Sequence, residues 1–420
     1  MLFSTHFDIV IVGGGISGLF LAYKLCETEL NILLIEKGKS LGGRIVTIEK
    51  EGILYEAGAA RFNETHTKLI SLIKELELED QITMLPKEID YKLREYKTDN
   101  YPKVYYLLSI VKKKSENYEQ KYLQNITFFN LLIEIFDYET AEFIKDSFGF
   151  DSEFLDLNAD SALLMYKDDL FINKDYFGLK NGLSQIITNM ENILKKKKNV
   201  KILKNNTLKK ILDDKIETSI DTYEYKNLIL AIPYSNLKQL DEFKDFKLLD
   251  SVKPIQLLRI YAKYPKEEGT DEVWFHNIKI TTTNSYLRYI IPIDYDKGLI
   301  MISYTDGLNA KLLADMYSNG EDVLIKEIHK EIKKLFDIDP PKPKIYFHNW
   351  SDEYSGVHMW KAGSDMNDLY PKIMQPDKNK NIFICGEAFS KKQCWMEGAL
   401  ETSYDVLKKL KLDGIEIINN

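Results

Sequence analysis

An α/β architecture is predicted for this sequence: a doubly wound, parallel-sheet domain joined to a second domain of mixed β-sheet and helices. Three observations carry the prediction. Near the N-terminus an apolar run, Ile9 to Val12, breaks into glycines, passes into a periodic apolar stretch from Ile16 to Leu25, and resumes as a second apolar run that closes on Glu36. Near the C-terminus a strand, a turn and a helix recur from Asn381 to Leu407, and between the two lie strand-like segments rich in β-branched and aromatic residues. In the first unit Gly13, Gly15 and Gly18 stand at G-x-G-x-x-G spacing. The first glycine permits a tight turn, the second lets backbone approach a pyrophosphate, and the third lets the helix lie close on its strand. Ile16 and Ser17 open that helix, whose free N–H groups suit an anion. Glu36, with Lys37 beside it, stands about 20 residues on, where an acid accepts ribose hydroxyls. A dinucleotide is therefore the expected ligand of this Rossmann-like unit.

The chain has 420 residues, beyond what one ordinary core holds, so two domains or an intertwined pair are expected. The net charge is -8, which disfavours nucleic acid as a partner, and the lysine runs 112–114 and 195–198 read as solvated helix ends or loops. No apolar run approaches the roughly 18 residues of a membrane span, and the start lacks a charged-then-apolar leader, so a soluble cytoplasmic protein without a membrane partner is expected. Cys26, Cys385 and Cys394 are scattered and odd in number, which predicts neither a disulfide framework nor a metal site.

After Glu36 a second glycine turn, Gly42-Gly43-Arg44, returns toward the nucleotide, where the guanidinium can fork onto phosphate oxygens; this points to a flavin dinucleotide rather than a nicotinamide. With Thr47 these residues form a G-G-R-x-x-T segment, and here the sequence resembles the flavin-containing amine oxidase family, including its monoamine, polyamine and L-amino-acid oxidases. The resemblance runs from residue 7 to about 407 and is weakest between 90 and 175. It implies FAD, without a covalent link, held by a discontinuous domain (1–89, 175–250 and 376–420), and a substrate domain of 90–174 and 251–375.

The family's pattern carries over segment by segment. Gly58 would allow approach to the flavin edge, with Ala59 next to it, and Arg61 matches the arginine by which L-amino-acid oxidases hold a substrate carboxylate; a phosphate-binding or bracing role for Arg61 stays open. Residues 90–173 read as amphipathic helices of the substrate domain. Gly178 and Gly182 resemble the family's return to the nucleotide domain, and Leu208 matches the residue whose backbone lies on the adenine. Where the family carries a lysine that hydrogen-bonds a water at flavin N5, this chain has Arg259; Lys263, on the same strand face, is the alternative. The segment of Trp350, Tyr354 and Gly356 resembles the family's crossing from sheet to flavin ring, and His358 stands where covalent members carry the linking cysteine. Gly386 and Glu387 match the strand end that holds flavin hydroxyls, and Met396 opens a helix whose positive end would face the flavin pyrimidine. Trp395 matches the aromatic that walls the substrate, with Trp360 and Tyr289 as further walls.

The resemblance implies FAD-dependent oxidation of an amine or L-amino acid: hydride passes from the carbon bearing the amine to the flavin, water hydrolyses the imine, and dioxygen reoxidises the flavin to give hydrogen peroxide. A small-molecule amine or amino acid and dioxygen are then the expected partners, with a homodimer left open. The alternatives are another flavin reaction on the same fold, desaturase or sugar-mutase-like, or a flavoprotein without turnover, because fold alone does not fix chemistry.

Overall fold

The computed structural model describes residues 6–96, 103–169, 175–351 and 356–410; Tyr354 and residues 411–420 lie outside the described residues. The first sheet has seven strands. At its centre His6–Val12 pairs in parallel with Ile32–Ile35 on one side and Thr222–Leu230 on the other. Val200–Leu203 extends the first side, Ile382–Ile384 pairs in parallel with Thr222–Leu230, and the hairpin of Leu208–Ile211 and Lys215–Thr218 closes the edge. Where these strands run through the interior they are wholly apolar, as at Ile9–Val12, Ile32–Ile35 and Leu228–Leu230, while the outer end of Thr222–Leu230 exposes Glu224 and Lys226. The helix Ile16–Leu25 leaves the first strand at the glycine turn and packs against the last helix, Met396–Lys409. A Cβ on Gly18 would lie 2.0 Å from the Gly13 carbonyl oxygen and 3.2 Å from Cβ of Ala231, so this glycine sets how closely helix and sheet approach.

The second sheet is ordered Lys344–Trp350, Leu257–Lys263, Leu299–Asp306, Tyr289–Asp294, Ile280–Thr283, Ile89–Lys92, antiparallel apart from its last pair. One face carries its own apolar core under the helices Gly307–Ser318 and Glu321–Phe336. The stretch from Lys103 to Asp169 is a stack of six helices, as the amphipathic pattern predicts, although the strand Ile89–Lys92 precedes it. Two clamps tie this stack to the sheet. The Asp306 carboxylate accepts from the N–H groups of Asp151 (3.0 Å) and Ser152 (3.1 Å), and the buried Arg288 donates to the carbonyl oxygens of Lys145 and Phe148. No described helix is long and apolar enough to cross a membrane.

Candidate active site

A cavity of about 720 Å³ runs from Glu36 and Leu208, at the ends of the first sheet's strands, to Arg61, Arg259 and Tyr304 on the second sheet. Its first half is backbone. Gly13 (φ +108°) turns away from a strand so near that a Cβ would meet the Ala231 carbonyl at 2.2 Å. The second glycine turn docks on the first, with Gly42 N–H donating to the Gly14 carbonyl at 2.8 Å and a bridge between Gly15 and Gly42. Gly15 differs from its neighbours: a Cβ there meets nothing within 4 Å and would stand in the cavity. The same holds for Gly386. No side chain caps the helices that start at Ile16 and Met396, so their first N–H groups are left for a ligand. Glu36, buried at the strand end, accepts from Gly14 N–H (2.7 Å) and Gly38 N–H (2.6 Å). Empty space above two glycines, an acid at one end and two uncapped helix starts fit an adenine dinucleotide. Ile16, Ser17, Lys37, Gly43, Arg44, Ala59, Leu208 and Met396 line the same cavity, whereas Gly18 serves the packing beneath it.

Between the halves stands a buried ionic knot. Arg44 Nη1 donates to Glu387 Oε2 (2.8 Å) and to the Gly356 carbonyl (3.1 Å). His358 Nδ1 lies 3.0 Å from the same carboxylate oxygen, and Cys394 N–H donates to the other at 2.8 Å. Burial pushes the Glu387 carboxyl up, but the charges of Arg44 and His358 and the hydrogen bonds outweigh it and hold the group well below the usual carboxylate range. Glu387 is thus occupied by protein partners, and part of the Arg44 fork is spent on it rather than left for phosphate. Gly58 has a different reason from the one its motif suggests: a Cβ would lie 1.9 Å from the Arg44 carbonyl oxygen, so the glycine is needed where two loops cross.

The far half is side chains. The Arg61 guanidinium lies 4.5 Å from the Tyr176 ring centre and 5.7 Å from that of Trp395. Those two rings are nearly parallel, 9° apart in plane, with centres separated by 6.1 Å. Burial lowers the Arg61 pKa, but the phenols of Tyr176, Tyr289 and Tyr304 more than offset it, so the group stays charged. Arg259, only 4 % exposed, lies 4.1 Å over the Tyr304 ring and donates from Nη1 to the Glu56 carbonyl at 2.9 Å, while its Nε has no partner. Tyr261 hydroxyl donates to the same carbonyl at 2.6 Å. Burial and the nearby Arg259 charge push the His348 imidazole down to about 4.

A family model for flavin-containing amine oxidoreductases matches residues 16–406. The chain belongs to this family. Amine oxidase [flavin-containing] A of Bos taurus is 42% identical over 74 residues, 17% of this chain and 14% of that protein. Amine oxidase [flavin-containing] B of Cavia porcellus is 34% identical over 96 residues, 23% of this chain and 18% of that protein. These matches thus span under a fifth of the relatives' own length. Putrescine oxidase, solved bound to putrescine, shares the fold at a TM-score of 0.74 and 17% identity, over 96% of this chain and 99% of that one. A putative protoporphyrinogen oxidase from Exiguobacterium sp. 255-15 does so at 0.71 and 15% identity, over 96% and 98%. Membership implies a flavin.

Within this amine oxidoreductase fold three expected site residues lie elsewhere. Lys263 shares the strand face of Arg259, but four residues along a strand is roughly 13 Å, and its amine reaches the Glu51 carbonyl at 3.4 Å, outside the cavity. Trp360 does not wall the cavity: Val357 and Met359 face it, the period of two turns His358 and Trp360 away, and the Trp360 indole donates to the Ser390 carbonyl at 2.9 Å inside the core. Tyr289 stops short of the wall, its ring packed on Phe150 and against Gly149, where an added Cβ would lie 1.8 Å from it. Tyr176 and Tyr304 were not singled out from the sequence. Tyr176 directly precedes the Phe177-Gly178 return segment, which is a usable signal; Tyr304 becomes significant only through its register opposite Arg259.

Proposed function

We propose that this chain binds FAD without a covalent link and oxidises the carbon–nitrogen bond of a small L-amino acid, with simple amines as the poorer substrates. Gly15, Gly386, Glu36 and the two helix starts would hold the dinucleotide, with Leu208 at its adenine end. Bound there, the flavin would supply the two-electron chemistry, taking hydride from the carbon that bears the amine and passing the electrons to dioxygen as hydrogen peroxide. Arg61 would fork onto the substrate carboxylate, while the parallel Tyr176 and Trp395 rings confine the substrate and exclude water. Arg259 would provide a fixed positive charge at the reacting end. The single observation that carries the amino-acid reading is that Arg61 lines the cavity with no carboxylate paired to it among the described residues. A partly buried charge in a cavity without a counter-charge is unfavourable, and a carboxylate ligand supplies one. A non-covalent flavin is supported by His358, whose ring faces away from the cavity and is held by Glu387.

The test is anaerobic bleaching of the bound flavin by matched pairs, an L-amino acid and its decarboxylated amine. Faster bleaching by the amino acid is expected, together with release of free FAD on acid precipitation. Preference for the amine would place this protein with the general amine oxidases and leave Arg61 a structural or phosphate-binding arginine.

A further inference from the structure

The substrate end of the cavity holds two guanidinium groups, Arg61 and Arg259. Both lie beside Tyr304: Arg259 is 4.1 Å over its ring, and the Tyr304 phenol is among the groups that act on the Arg61 charge. The Arg259 charge disfavours that of Arg61. Carboxylates do line this region, but their oxygens are committed elsewhere. Glu56 accepts from Leu183 N–H at 2.7 Å and from the Thr47 hydroxyl at 2.9 Å and feels the Arg259 charge only from beyond ion-pair reach, and Asp306 accepts from two backbone N–H groups of the helical stack. Glu153 accepts from the Tyr166 hydroxyl at 3.0 Å. Among the described residues neither arginine is in an ion pair, and Arg259, 4 % exposed, keeps an Nε–H with no acceptor. A single carboxylate, as the proposed reaction requires, answers one of these charges.

From this pairing we propose that Arg259 is a specificity residue for a second acidic group, so that the preferred substrate is a dicarboxylic L-amino acid. The inference rests on the amino-acid reading above and extends it: Arg61 takes one carboxylate, Arg259 the other, and Tyr304 lies beside both. An uncharged side chain of equal size would leave Arg259 without a close counter-charge and its Nε–H without an acceptor.

The experiment compares L-glutamate with isosteric L-glutamine as reductants of the bound flavin, and glutarate with its monoamide as ligands that perturb the flavin absorbance. Because glutarate has no amine, it reads the anion site whether or not the protein oxidises amines. Glutamate is expected to be preferred over glutamine, and glutarate over its monoamide, by about tenfold or more. In Arg259→Met both ratios should fall toward one, and Arg259→Lys should recover part of them; flavin retention checks that each variant folds. Equal handling of acid and amide by the wild type, or ratios that Arg259→Met leaves unmoved, would overturn the proposal. Glutarate preference without bleaching by any amine or amino acid would keep the anion site and sink the proposed reaction. Bleaching by amino acids with no acid-over-amide preference would do the reverse.

Discussion

At the glycine-loop end, where the dinucleotide is proposed to lie, the cavity presents bare backbone, while at the arginine end, proposed for the substrate, it presents side chains, and the two ends respond differently to change. The glycine loops at Gly13–Gly18 and Gly42–Gly43 come from neighbouring stretches of chain and touch through main-chain hydrogen bonds. The substrate end draws Arg61, Tyr176, Arg259, Tyr304 and Trp395 from five separated segments, held by ring contacts and by carbonyl acceptors such as Glu56. A backbone site tolerates no added atom, whereas a side-chain site can lose one group and keep its shape.

The sharpest break in that contrast is expected within the glycine loop itself. Gly15→Val should fold, since its Cβ meets nothing, but should fail to load flavin because the side chain fills the ligand's place; normal flavin absorbance in the purified variant would sink the site. Gly18→Ala should do the opposite, because its methyl would press on the Gly13 carbonyl at 2.0 Å. A loss of about 3 kcal/mol, the upper end for overpacking, is expected in a denaturant titration.

Smaller effects are expected at the side-chain end. Arg61→Ala should weaken L-amino-acid binding by about tenfold to a hundredfold, the worth of a charge-assisted fork, and should cost the matched amines little. Equal losses for both would remove the carboxylate role. Arg259→Met should keep its flavin yet slow reoxidation by dioxygen on the order of tenfold, because a fixed cation several ångströms away stabilises developing negative charge. Stopped-flow mixing of the dithionite-reduced protein with oxygen measures this separately from substrate preference, and an unchanged rate would restrict Arg259 to the substrate.

The last effect lies at the knot that joins the two ends. The folded-state pKa of Glu387 is depressed, so its contribution is complete above the ordinary carboxylate value of 4.5 and is lost as pH falls below it toward the folded value. Acid unfolding of the wild type should therefore steepen below about that value, and Glu387→Gln should flatten the curve. Parallel curves for the two proteins would mean that the Arg44 and His358 contacts do not carry the shift.

Legibility in the sequence follows the same division. Gly13, Gly15 and Gly18 could be read because a turn, an open approach and close helix packing each demand glycine at a fixed spacing, and the position of Glu36 at the strand end because an acid closes the second apolar run. The helices from Lys103 onward and the helix Glu321–Phe336 could be read from periodicity. Trp360 was misplaced although the strand period could have shown that it faces away from Met359; which face met the cavity depended on the pairing with Val252–Ile255 and on the Ser390 carbonyl that receives its indole. Lys263 is an alternative to Arg259 in the sequence because period two gives the face but not the distance to the cavity.

By itself, then, the sequence determined the strand–glycine turn–helix unit, the second sheet and the presence of arginines at two motif positions, since local geometry and chain spacing are properties of neighbouring residues. Only the tertiary structure decided that Arg61 lies against Tyr176 and Trp395, that Arg259 faces Tyr304, and that Glu387 answers Arg44 and His358. Those contacts join residues up to 343 positions apart, and strand register and helix packing, not any local pattern, bring such residues within a few ångströms of each other.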